Sequence, residues 1–373
     1  MQKKNIYLYS MHRYDLVFYA RLIDNLSYLT KIYNFTLIVT DHLYKINYTE
    51  KFIHKKFNKV LIVPVHILSS AKIMTKIKFI FKLRNWHTKN INPNDLLILT
   101  DKSNIFSRFF LRRSYNVLLI QQLEDITTDY NFDIPFFIKD TIKSIIIGSC
   151  FARQYIHKST PDVRGLKLLN YGKKKKFFKI YNIPSSQDLS HFELPPLSEK
   201  TEKKIVIFGS RFFSWDSNKN PKDLKSMVNK LTKIYSYIYS NFQNYEYFYI
   251  PHPFEKGKEY NFINNIFFGK LKKAENFFSS EHFLYENRDI EYTFSIASTS
   301  SFSSYSMGYS SKVFYKMLKL PDSVKRTISN IFFGLSDNFF AQNYADLIQK
   351  EVSENSNKEF FKKFSYYLNK YDV

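Results

Sequence analysis

The sequence predicts an α/β protein made of two successive parallel-sheet domains. Three observations carry this. Short apolar runs of strand length recur along the chain, helix-length stretches separate them, and the pattern stops over a polar, proline-rich stretch before starting again. Continuous Val/Ile/Leu runs joined by helices mark strands buried on both faces, which is how parallel sheets are built.

Taken in order, the strand-like runs lie at 6–9 (Ile-Tyr-Leu-Tyr), 36–39, 60–63, 96–99, 117–120 and 144–147. Between the first two, Leu16, Tyr19, Ala20, Ile23 and Leu26 fall on one helical face. This predicts a first domain over residues 1–170. The composition then changes. A lysine run at 173–176 follows Gly172, and Pro184, Pro195 and Pro196 stand in polar surroundings, which predicts a linker over 171–203. The second domain is expected over 204–330. It opens with a strand at 204–208 that ends in Gly209-Ser210-Arg211. A helix is expected over 221–242 and a strand over 245–250, stopped by Pro251-His252-Pro253. A further strand at 290–297 runs into a Ser/Thr cluster, and 312–315 reads as the last. Residues 331–373 are expected to form C-terminal helices that pack back on the first domain, ending in a basic, aromatic stretch at 358–367.

With 373 residues, 44% hydrophobic and 18% aromatic, the chain has material for sizeable cores and is not disordered. No apolar run approaches the ~20 residues that span a bilayer. The longest, 60–68, is interrupted by Pro64 and His66. The N-terminus runs straight into the first strand without an apolar signal core, so a soluble cytoplasmic protein is expected. The lone Cys150 excludes a disulfide framework and a multi-cysteine metal site. Lys and Arg number 56 against 33 Asp and Glu, so 56 − 33 leaves +23. Part of that excess belongs to a composition rich in Lys, Asn, Ile, Phe and Tyr. The surplus still favours nucleic acid, anionic lipid or a phosphorylated substrate, and charge alone does not choose among them.

Several chemistries are missing. There is no Gly-x-Gly-x-x-Gly and no Gly-x-x-x-x-Gly-Lys-Ser/Thr, which argues against dinucleotide oxidoreductases and P-loop NTPases. No two histidines stand at zinc-ligand spacing, and no Gly-x-Ser-x-Gly elbow occurs. Asp-x-Asp is absent, which argues against a nucleotide diphosphate gripped through a metal.

Three stations stand at predicted strand ends, where open α/β sheets bind ligands. The first is Glu124-Asp125, after the run ending at Ile120. Adjacent carboxylates raise at least one pKa and so suit a general base, although the same residues suit a helix cap. The second is His252, held between Pro251 and Pro253. Its imidazole has a fixed direction and can donate to a leaving phosphate, or it is an exposed residue of a proline turn. The third is Ser298-Thr299-Ser300-Ser301, within a stretch from Ala297 to Ser304 that holds six hydroxyls in eight residues, more than a helix cap requires. Hydroxyls and N–H groups at a helix start form an anion site without metal.

In order and spacing, Glu124-Asp125, His252-Pro253 and Ser298–Ser301 resemble the motifs of the bacterial sialyltransferases, including the lipooligosaccharide and polysialic acid capsule enzymes. Tyr130 after the acidic pair is similar to the family's pattern. Ile126 departs from it, standing where the motif carries Gly. The resemblance implies a GT-B fold, two Rossmann-like domains whose parallel sheets face a central cleft. It also implies metal-independent, inverting transfer of a sugar from a CMP-sugar donor, with no cofactor. By that analogy Glu124 or Asp125 deprotonates the acceptor hydroxyl, and His252, beside Pro253, serves the departing phosphate. Ser298, Thr299, Ser300 and Ser301 hold that phosphate, and Glu281 contacts the nucleotide. Gly209, Ser210 and Arg211 line the same site. The expected acceptor is a bacterial surface glycan, such as lipopolysaccharide, lipooligosaccharide or capsule, or a lipid-linked oligosaccharide. The surplus lysines and the 358–367 stretch would hold the protein peripherally at the anionic inner membrane, unless that stretch is an ordinary packed helix. Other donors remain open: another CMP-linked acid such as Kdo or legionaminic acid, or a UDP or GDP sugar. A basic nucleic-acid-binding protein would explain the charge and aromatics but not the three stations, so no specific nucleic acid is expected.

Overall fold

The computed structural model describes residues 3–64, 73–100, 105–114, 116–121, 138, 141–142, 165–170, 179–182, 203–210, 212–214, 221–332, 335–350, 364–366 and 368. The chain divides into two units, Met1–Leu189 with Asn357–Val373, and Ser190–Ser356.

In the first unit the described elements are β1 (Lys4–Ser10), α1 (Arg13–Asn25), β2 (Tyr33–Thr40), α2 (Asp41–Tyr44), α3 (Thr49–Lys56), β3 (Lys59–Val63), α4 (Ile73–Asn90), β4 (Leu96–Leu99), α5 (Ile105–Arg113), β5 (Asn116–Gln121), β6 (Gly165–Asn170) and β7 (Lys179–Asn182). The sheet order is β3-β2-β1-β4-β5-β6-β7. The first five strands are parallel. Leu8, Leu37 and Ile98 are wholly enclosed, as central strands covered on both faces must be. Helix α1 buries Leu16, Tyr19 and Ala20 as its periodicity predicts, and also Asp15 and Arg21, which apolar spacing gives no reason to bury.

Two differences from the sequence expectation stand out. Strands β6 and β7 run antiparallel, and β7 lies inside the stretch expected to be linker. The lysines of and around β7 make it read as loop, whereas lysine is what an edge strand carries to discourage further pairing. The predicted strand at 144–147 lies outside the described residues. The second difference is the C-terminal stretch. Phe364 and Leu368 are fully buried, and the hydroxyls of Tyr28 and Ser365 share a 2.8 Å hydrogen bond. Phe364 and Leu368 are therefore spent on packing, as in the alternative of an ordinary packed helix, while Tyr366 is exposed.

The second unit contains β8 (Lys204–Phe208), α6 (Pro221–Asn241), β9 (Glu246–Ile250), α7 (Lys258–Ile266), β10 (Leu271–Lys273), α8 (Ser280–Glu286), β11 (Ile290–Ser295), α9 (Thr299–Ser306), β12 (Ser310–Val313), α10 (Asp322–Ile331) and α11 (Tyr344–Ile348). Its five strands, ordered β10-β9-β8-β11-β12, are all parallel. Met227, Leu231, Ile234, Tyr235 and Ile238 form the buried stripe of α6, in one core with Ile205, Ile207, Tyr247, Tyr249 and Phe294. Truncating Leu231 or Ile234 to Ala there costs about 2–5 kcal/mol. Strand β10 escapes sequence reading because Lys272 and Lys273 are exposed and only Leu271 is buried. Among the described residues no helix is long and apolar enough to cross a membrane.

Candidate functional site

The second sheet has a topological switch point. From β8 the chain builds β9 and β10 on one side, then crosses to build β11 and β12 on the other. In open α/β sheets it is at such a switch point, beyond the carboxyl ends of the strands, that ligands bind. Register sets the level of the groups at that edge. Phe208 pairs with Ile250 on one side and Ser295 on the other. Gly209-Ser210, Pro251-His252 and the residues after Ser295 therefore leave the sheet side by side. His252 and Ser298 are carried by strands two places apart, about 10 Å by strand spacing.

The His252 turn is tightly held. The Glu255 N–H donates to the His252 carbonyl at 2.8 Å, closing a turn with Pro253 at its second position. The Phe254 N–H donates to His252 Nδ1 at 3.2 Å. Since Nδ1 accepts, the neutral ring carries its proton on Nε2 and is set to donate from that atom. Gly209 lies beneath. A Cβ there would meet the Tyr249 hydroxyl at 2.5 Å, Glu255 Oε2 at 2.8 Å and the His252 nitrogen at 2.9 Å. The glycine is required by close approach of backbone to backbone. The Tyr249 hydroxyl donates to Glu255 Oε2 at 2.5 Å, and the Tyr260 N–H to Glu255 Oε1 at 3.0 Å. Burial, then the carboxylates of Glu259 and Glu255, push the Tyr249 phenol far up, so it stays protonated and donating. Glu259, in the first turn of α7 and 1% exposed, accepts from the N–H groups of Ser210 (2.8 Å) and Phe212 (3.3 Å). A carboxylate at that helix end is favoured by the helix field and fixes the loop after β8. Arg211 lies outside the described residues.

The hydroxyl run divides into two layers. Ser298 caps α9 and accepts from the Ser300 N–H at 3.3 Å, while its own N–H donates to Ser295 Oγ at 3.1 Å. Ser301 is fully buried, and its hydroxyl shares a 2.7 Å hydrogen bond with that of Ser295. Its N–H donates to the Ser298 carbonyl at 3.0 Å. Below it the Thr293 hydroxyl bonds those of Ser304 (2.9 Å) and Ser311 (2.5 Å). This lower layer welds α9 to the sheet. The expectation that the Ser301 hydroxyl holds a ligand is corrected, because buried hydroxyls must pair and this one already does. The upper layer is half-buried Ser298 and Ser300 with exposed Thr299.

Sequence reasoning missed Ser280, whose hydroxyl shares a 2.7 Å hydrogen bond with Ser300. The signal was the Ser279-Ser280-Glu281 sequence, a helix start in which Ser279 caps α8. Glu281 is half-buried and its Oε1 accepts from Ser303 at 3.1 Å, tying α8 to α9. Glu255 and Glu259 were also missed; their signal was two carboxylates four residues apart just after the His252 turn. Among the described residues no three His, Cys, Asp or Glu side chains are grouped to hold a metal ion. Glu124, Asp125, Ile126 and Tyr130 lie outside the described residues.

The fold is α/β and GT-B-like in having two successive Rossmann-like units. No protein-family model and no curated protein matches the sequence. Solved structures of similar chain path include UDP-GlcNAc 2-epimerase from Neisseria meningitidis bound to UDP-GlcNAc, with 8% identity, 99% of this chain and 93% of that one covered, and a TM-score of 0.43. A glycosyl transferase of family 9 from Veillonella parvula has 11% identity, coverages of 97% and 92%, and a TM-score of 0.41. The E. coli heptosyltransferase WaaC with a fluorinated ADP-heptose has 13% identity, coverages of 97% and 99%, and a TM-score of 0.37. At such identities the chemistry has to be argued from this chain's own residues.

Proposed function

We propose that the chain is a metal-independent, inverting glycosyltransferase. It would take a sugar from a CMP-linked donor, most simply CMP-sialic acid, and pass it to a hydroxyl of a bacterial surface glycan or lipid-linked oligosaccharide. The observation that carries the reading is the hydrogen bond that holds the His252 ring. Its Nδ1 accepts from the Phe254 N–H, which leaves Nε2 as the protonated nitrogen of the neutral ring, on a turn that leaves the carboxyl edge of the second sheet. A departing phosphate gains negative charge as the sugar–oxygen bond breaks, and a preorganised donor stabilises that charge. Across the glycine at the end of β8, Ser298, Thr299 and Ser300 at the start of α9 offer the hydroxyls for the phosphate oxygens. A single phosphate requires less neutralisation than a diphosphate, so a histidine, hydroxyls and a helix start suffice. Glu124 or Asp125 is the proposed base for the acceptor hydroxyl.

Thermal shift and calorimetry against CMP, UMP and GMP test the donor class. CMP should stabilise the protein most. Preference for UMP or GMP would move the reading to a UDP or GDP sugar, and salt-sensitive RNA binding without nucleotide binding would end it. His252→Ala should cut transfer by roughly two orders of magnitude or more, the scale of acid–base assistance. Unchanged turnover would remove His252 from the mechanism.

A further inference from the structure

The first sheet carries a cavity of about 330 Å³ at its amino edge. The starts of β1, β2 and β3 line it, together with the ends of α1 and α3. Ligands of open α/β sheets are ordinarily held at the opposite, carboxyl edge. The seven residues of β1 put about 20 Å between the two edges.

Strand register sets the chemistry of the wall. Asn5 pairs with Asn34, and Thr36 pairs with Lys59, so these four side chains lie on one face of the sheet. All four line the cavity. Thr36 is 1% exposed, and its hydroxyl has no hydrogen-bond partner among the described residues. Buried hydroxyls ordinarily pair, and packing gives no reason for this one, since valine has the same shape without the polar atom. A ligand in the cavity would supply the missing partner.

The rest of the wall states the sign of that ligand. Lys3 and Lys59 are exposed, Lys56 is half-buried, and among the described residues no carboxylate lines the cavity. Lys56 Nζ is paired with Asp24 Oδ2 at 3.2 Å, outside the lining, so that pair is neutral. Lys3 Nζ donates to the Thr30 carbonyl at 2.9 Å, which positions the ammonium and uses one of its three N–H groups. Lys3 and Lys59 therefore leave two positive charges, against about −1.5 to −2 on a phosphate monoester at neutral pH. Lysine acts as a point charge on phosphate, whereas a carboxylate is better matched by the fork of arginine. The volume is at the small end for small-molecule sites and exceeds a bare phosphate, and Ile23 and Phe57 give it an apolar side.

We propose that this cavity binds a small soluble phosphate monoester. The Thr36 hydroxyl donates to a phosphate oxygen, Lys3 and Lys59 balance the charge, and the organic body lies against Ile23 and Phe57. The inference stands apart from the transferase reading, because it shares no residue with the His252 turn or the start of α9.

The test is calorimetry on the full chain with glycerol 3-phosphate and glucose 6-phosphate. At least one should bind and raise Tm. Thr36→Val should leave the Tm of the free protein in place and weaken that ester roughly tenfold or more, the weight of a hydrogen bond to a charged group. Thr36→Ser, which keeps the hydroxyl, should restore most of the affinity. Lys59→Gln, at an exposed position, should weaken the ester several-fold and provides the reading if Thr36→Val does not fold. Equal affinity in wild type, Thr36→Val and Lys59→Gln would overturn the inference. So would loss of binding in His252→Ala alone, because the ester would then be held in the second unit. Capture by phosphatidic acid vesicles without a response to either soluble ester would place the phosphate on a lipid and overturn the assignment as well.

Discussion

Gly209→Ala is the most direct probe of how the His252 turn is held. The added methyl would stand 2.5 Å from the Tyr249 hydroxyl, 2.8 Å from Glu255 Oε2 and 2.9 Å from the His252 nitrogen. The first two are side-chain ends, but they are bonded to each other at 2.5 Å, and Tyr249 is fully buried. The third is backbone and moves only with the whole turn. Overpacking of this kind costs about 1–3 kcal/mol. Loss of a hydrogen bond to a charged group adds about 1.5–3 kcal/mol where it breaks outright. The two overlap, because relieving the clash is what breaks the bond, so about 2–3 kcal/mol is expected. For a unit of this size that lowers Tm by roughly 4–12 °C. The assay is thermal unfolding followed by circular dichroism, with CMP affinity measured well below the transition. Affinity and turnover should both fall, because the turn that aims His252 has shifted. Gly257→Ala is the control. There the backbone sits at φ +82° with no atom within 4 Å of the new methyl, so only the left-handed backbone cost of about 1–2 kcal/mol applies and the His252 turn is spared. Wild-type stability and turnover in Gly209→Ala would refute the close-approach argument.

Two further outcomes separate structural from binding roles. Ser301→Ala leaves the Ser295 hydroxyl without its 2.7 Å partner, so unfolding free energy should drop by about 1–3 kcal/mol with CMP affinity nearly unchanged. Thr299→Ala should do the opposite, weakening CMP at constant Tm, and equal effects from both would dissolve the two-layer description. Asp15 gives a pH signature. Burial raises its carboxyl from 3.8 to about 6, against the opposing pull of His12 and the hydrogen bonds. A folded pKa above the unfolded one adds stability below about pH 4 that is lost as pH rises through 6, by at most about 3 kcal/mol. Urea unfolding of Asp15→Asn should therefore show a gain over wild type that is largest at pH 7–8 and shrinks towards pH 4. Parallel pH profiles would contradict the buried, raised carboxyl.

The sequence makes the strand positions legible because parallel strands covered on both faces need uninterrupted apolar runs, as at Leu96–Leu99 and Lys204–Phe208. The edge strands β7 and β10 stayed hidden for the converse reason: edge strands keep lysines, and lysines read as loop. At the site, His252 is legible because two prolines isolate it. The supports beneath it are not, since nothing in the pattern of Tyr249, Glu255 and Glu259 says that their hydroxyl and carboxylates fold back under Gly209. The Ser298–Ser301 run was read as one function because all hydroxyls look alike in sequence, and only the helical turn sends Ser301 inward while Thr299 faces out.

That inward turn also explains why so many hydroxyls are gathered after β11. On the proposed phosphate role, the start of α9 must keep its helix field, so it cannot be capped by an acid as α1 is by Asp15. It has to be fastened by neutral groups. The Ser295–Ser301, Thr293–Ser304 and Thr293–Ser311 bonds do this from the sheet side. Replacing Ser298 by Asp keeps a good cap and the local fold but cancels the helix field. Under this reasoning Ser298→Asp preserves Tm and abolishes CMP binding, whereas Ser298→Asn preserves both. A variant Ser298→Asp that still bound CMP with wild-type affinity would show that the anion is held elsewhere.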